Sequence, residues 1–220
     1  MSMAGASVAT VAVAVSSSGS AAPPEAQGCA AWDITYSVSG NLQLSDTPMG
    51  AGNGTYAVGP GKVVLRQDAR SGRVTMLSFQ LPERFGIVAK NLFWTTHVNT
   101  NALARATPMG TGECSHVAEG AMQGRTVAWA TKVSGLQTDG KVDCVGSLCG
   151  SFGAPPKGTS PLHVGPNDVE FQPFEFGSDG KTFTMSSAFV SKTAQPQQTA
   201  HLALAGREVS RVCAPVITCR

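Results

Sequence analysis

The sequence predicts an all-β protein, an antiparallel β-sandwich or barrel, from two observations. Apolar residues alternate with period two in several runs, and no helical period is sustained over three turns. The best helical candidate, Ala102 to Ala106, is too short.

In the first run Trp32, Ile34, Tyr36 and Val38 share one face, opposite Asp33, Thr35 and Ser37; Leu42 and Leu44 keep that parity until Ser45-Asp46-Thr47-Pro48 ends the strand. Val58-Gly59-Pro60-Gly61 reads as a turn or edge bulge, because Pro60 has no amide hydrogen for a ladder. Ala69 to Gly72 turns the chain into a strand from Arg73 to Leu81, where Leu77, Phe79 and Leu81 alternate with Ser78 and Gln80 and Pro82 is expected to stop it. A further strand is expected over Leu92 to Val98, and Asn99 to Gly120 reads as an irregular crossover. Val127, Trp129, Thr131 and Val133 open the next strand. Around Pro173 the apolar parity switches, from Val169 and Phe171 to Phe174 and Phe176, and a bulge there would return all four to one face. Asp179-Gly180 is a hairpin signal, and His201 to Val209 the last strand.

An internal duplication is the second expectation. Trp32, Val38-Ser39-Gly40, Gly50-Ala51, Val58-Gly59-Pro60 and Met76 find counterparts in the same order at Trp129, Val133-Ser134-Gly135, Gly153-Ala154, Val164-Gly165-Pro166 and Met185. On this reading residues 29–220 form one domain, with halves at about 31–98 and 127–205 related by a pseudo-two-fold.

Residues 1–28 resemble an export signal. Ala4 to Val15 supplies an apolar run and Ser16 to Ala22 a zone of small residues, although no Lys or Arg precedes Lys62. The run falls short of the roughly 20 apolar residues needed to span a bilayer. Six cysteines agree with export, since an even count in an oxidising compartment is usually spent on disulfides. Spacing favours Cys144 with Cys149 and Cys213 with Cys219, leaving Cys29 with Cys114. A zinc site competes weakly, because structural zinc pairs sit closer together than these cysteines do.

The net charge of +2 comes from scattered single charges, so no basic patch marks a nucleic-acid or anionic-membrane partner. Gly135 to Lys141 has the spacing of a phosphate loop, but Val142 stands where a magnesium-ligating hydroxyl belongs; it reads as a hairpin turn. Cys114-Ser115-His116 is a poor nucleophile pair, and His97, His163 and His201 stand apart from one another. Glu170 and Glu175 could serve as paired carboxylates, but a half-buried strand would turn them to solvent.

No cofactor, metal or catalytic constellation is therefore expected. The favoured function is a non-catalytic envelope or secreted protein acting by surface binding or assembly. A carrier of an apolar ligand comes next, its cavity lined by Trp32, Tyr36, Trp129, Phe171, Phe174 and Phe183, and a secreted hydrolase last.

Overall fold

The computed structural model describes residues 29–47, 52–90, 93–130, 133–151, 153–191 and 198–215. The export-like segment 1–28 and Cys219 lie outside them. The strands are β1 (Ala31–Ser45), β2 (Gly54–Asp68), β3 (Arg73–Lys90), β4 (Thr95–Ala106), β5 (Ala118–Gln123), β6 (Thr126–Trp129), β7 (Val133–Gly146), β8 (Gly158–Val169), β9 (Phe174–Phe176), β10 (Thr182–Ser191) and β11 (Gln198–Ala214). Every pairing is antiparallel, as expected for strands joined mostly by short turns.

The sheet closes on itself. Going round, β2, β1, β11, β10, β9, β6, β5 and β3 are neighbours, and β3 pairs back to β2. Closure removes the exposed edges that would invite aggregation. β3 explains the remaining strands: its 18 residues would reach about 60 Å if straight, more than one closed ring uses. Its start, Arg73 to Met76, pairs with β5, while Gln80 to Lys90 pairs with β4, which continues into β7 and β8. This second branch comes back to β10 beyond β8, where Ser187 Oγ donates to the Glu170 carbonyl at 2.9 Å and Gln172 N–H to the Ser186 carbonyl at 3.3 Å.

The alternation read from the sequence decides what lies inside. Ile34, Tyr36, Val38 and Leu42 are buried, with Leu44 and Trp32 part-buried against the same core. Val169, Phe171, Phe174 and Phe176 all reach that core, as the Pro173 argument requires; the strand is interrupted between Val169 and Phe174. Asp179-Gly180 lies in the β9–β10 turn, with Gly180 at φ 65°.

Both Val-Gly-Pro segments are bulges inside continuing strands. Register slips between Val38 and Gly40 opposite Gly59-Pro60, and between Leu136 and Thr138 opposite Gly165-Pro166. Both Gly-Pro bonds are cis, with the glycines at φ 92° and 101°. The tryptophan landmarks do not correspond in this way: Trp32 lies in long β1, whereas Trp129 ends the short, separate strand β6. Shared local geometry in two hairpins does not establish duplication.

Several expectations need correction. Pro82 does not end β3; it lies two residues beyond Gln80, the last β3 residue on the β2 ladder, where a missing N–H is tolerated, and β3 runs on against β4. The strand expected at Leu92 to Val98 begins at Thr95 and runs to Ala106, so the irregular crossover shrinks to residues 107–117. Gly135 to Lys141 is not a hairpin turn but part of β7. Gly140 is there for close approach, since a Cβ on it would lie 2.4 Å from the Ala102 Cα on β4.

Cysteine pairing is also corrected. Cys144–Cys149 forms as expected, pinning the β7–β8 loop, but Cys29 bonds to Cys213, not to Cys114, and Cys213 is therefore not joined to Cys219. The reason is closure: Trp32 pairs with Cys213 in the β1–β11 ladder, which brings the Cys29 and Cys213 Cα atoms to 5.5 Å. Cys114 is disulfide-bonded as well, and no described cysteine is free.

Candidate functional site

The aromatic residues expected to line a cavity mostly pack on one another. Phe174 stacks on Phe183 at 4.7 Å between ring centroids, and Tyr36 meets Phe183 edge-on at 5.0 Å. Trp129 meets Phe174 edge-on at 4.9 Å, and Phe171 lies 6.1 Å from Phe174. Glycine makes the tight packing possible. Phe183 pairs with Gly206 on β11, where a Cβ would lie 2.2 Å from the Phe183 ring. The indole N–H of Trp129 is buried without a hydrogen-bond partner among the described residues. Trp32 stands apart from this cluster, at the end of β1, with the Arg211 guanidinium 5.8 Å from its ring centre.

Two of the candidates meet open space: Phe183 borders the outer groove described below, and Tyr36 borders a smaller cavity. This cavity has a volume of about 300 Å³, with Ile34, Tyr36, Leu65, Val74, Met122 and Phe176 as its apolar lining. Two turns form its rim: Gly124-Arg125 between β5 and β6, and Gly177 to Gly180 between β9 and β10. Arg211 completes the wall and is held by Glu208 through contacts of 3.2 and 2.8 Å. Asp179 is occupied in its own turn, accepting the Lys181 N–H at 2.9 Å.

The Tyr36 hydroxyl sits at this cavity almost unpartnered. Among the described residues its one hydrogen-bond contact is to the Gly180 carbonyl at 3.5 Å, the outer limit of such a bond. Burial pushes its pKa up to about 12, with Glu208 adding to the rise, so the phenol stays neutral.

Other polar groups lie elsewhere. On the outer face of β7 and β8, Asp139 accepts from Gln137 and His163, each at 2.5 Å, and from Arg105 at 3.1 Å; these bonds, Gln137 first, hold its carboxyl below the usual range. His163 is well exposed. His116 contacts the Cys114 carbonyl at 2.8 Å through Nδ1 and reaches Glu119 at 3.6 Å, which makes it a structural histidine of the crossover. Glu170 and Glu175 are exposed, as anticipated. Glu175, Thr182, Thr184, Ser37 and Arg207 border a shallow outer groove of about 840 Å³ across β9, β10, β11 and β1.

Glu83 was missed by the sequence reading. It lies on β3 opposite Ala102, in the alternation that buries Leu81, and desolvation alone raises its pKa to about 7. The available signal was its parity with Phe79 and Leu81, obscured by the expectation that Pro82 ended the strand.

Among the described residues no three His, Cys, Asp or Glu side chains gather to hold a metal ion, and no helix is long and apolar enough to cross a membrane. No protein-family model, curated protein or solved structure matches the chain.

Proposed function

We propose that this chain is an exported, disulfide-stabilised, non-catalytic β-protein that acts through its surface, by binding or as a structural part of the cell envelope. The observation that carries this reading is the ring-on-ring packing of Tyr36, Phe174 and Phe183 in the barrel centre, which fills the space a carrier of a bulky apolar ligand would need. Disulfides support an oxidising compartment, periplasmic, outer-envelope or extracellular. The same reading takes residues 29–220 as one domain whose halves arose by duplication, supported by the matching register shifts at Gly59-Pro60 of β2 and Gly165-Pro166 of β8.

Solvent extraction of purified protein followed by mass spectrometry separates surface action from carriage. Surface action expects no stoichiometric lipid. Recovery of one lipid per chain would overturn it in favour of the carrier.

A further inference from the structure

We propose that the cavity beside Tyr36 is a binding site for a small aromatic acid, whose ring rests on the apolar floor and whose anion pairs with Arg125. The inference does not depend on surface action, since it concerns a partly open cavity beside Tyr36 and not the packed aromatic cluster. Its volume of about 300 Å³ stands at the lower end for small-molecule sites, which combine an apolar lining with a few convergent polar groups.

Three features select the ligand chemistry. The apolar part of the lining, with Tyr36, Leu65, Val74 and Phe176, suits a flat ring, while Gln67, Ser178 and Arg211 make the rest polar. The Tyr36 hydroxyl is buried with only its 3.5 Å contact, and buried polar groups normally have a better partner; an oxygen on the ligand would supply it. The charges on the rim differ in availability. Arg211 is committed to Glu208 and Asp179 to its turn, whereas Arg125, on an exposed hairpin tip, pairs with no carboxylate among the described residues. Arg125 is thus the cation free to take a carboxylate or sulfonate, by the paired hydrogen bonds that a guanidinium forms with such groups. Trp32 acts at one remove: with Glu208 it fixes Arg211 as a wall.

The probe is anilinonaphthalene sulfonate, a fluorescent ring system carrying one anion, titrated into the oxidised full chain with its uncharged analogue phenylnaphthylamine beside it. The sulfonate should bind with a Kd of about 10 μM, and Arg125→Glu should weaken it about 10-fold or more while circular dichroism stays unchanged. Arg125→Lys should retain part of the affinity. Met122→Trp, which fills the cavity from β5, should abolish binding. Arg84→Glu, an equal charge change on an exposed position of β3, should leave it unchanged. Equal binding of both probes, or equal weakening by the Arg125 and Arg84 variants, would overturn the proposal, as would absence of sulfonate binding. Lipid extraction reads the other proposal separately, so either can fail alone.

Discussion

Glu83→Gln is expected to raise stability in alkaline solution and to change little in acid. Glu83 has a pKa of about 7 in the folded chain, raised by desolvation from 4.5. The folded state therefore holds the proton more tightly than the unfolded one, and stability falls as pH rises through this window. The cost is absent below 4.5, grows up to about 7 and is fully present above it. At about 1.36 kcal/mol for each pKa unit, the gap corresponds to about 3 kcal/mol. Glu83 is only part-buried by area, and the water that still reaches it reduces the expected effect to about 2 kcal/mol. Glutamine keeps the shape and carries no charge. Urea unfolding of both proteins at pH 4, 7 and 9, with disulfides intact, gives the difference directly, because other titrating groups cancel between them. Glu83→Gln should gain about 2 kcal/mol between the acid and alkaline ends. A difference that does not change with pH would refute the argument that an ionised Glu83 is poorly solvated at its place opposite Ala102 on β4.

Gly206→Ala should destabilise by about 1–3 kcal/mol in urea, because the added methyl meets the Phe183 ring; a neutral result would mean that the ring moves freely. Phe174→Ala, at the middle of the aromatic cluster, should cost about 3–5 kcal/mol, and retention of wild-type stability would contradict a filled centre. Replacing Cys29 and Cys213 by serine should cost up to about 5 kcal/mol, against about 2 for Cys144 and Cys149, since the bridged residues are 184 and 5 apart in the chain. Equal losses in the two double variants would argue against chain entropy as the source. Mass spectrometry of the folded chain under non-reducing conditions should find no thiol that takes up an alkylating reagent.

The sequence by itself determined which side chains face inward. Period-two alternation is written in neighbouring residues, so Ile34, Tyr36 and Val38, and the four apolar residues about Pro173, could be assigned to the core before any partner strand was known. Local turn chemistry was legible too, at Asp179-Gly180 and in the bulge at Gly59-Pro60. What only the tertiary structure decided depends on which distant strands meet. Pairing of β1 with β11 set the Cys29–Cys213 bridge, and the approach of β4 to β7 gave Gly140 a role in a strand where local chemistry suggested a turn. The division of β3 between β5 and β4 carried the chain past Pro82 and placed Glu83, part-buried, opposite Ala102. The cavity beside Tyr36 likewise gathers β1, the β5–β6 tip, the β9–β10 turn and β11, segments far apart in the chain. Their meeting is fixed by closure of the whole ring, because strand register minimises a free energy summed over every neighbour and no short window of sequence contains that sum.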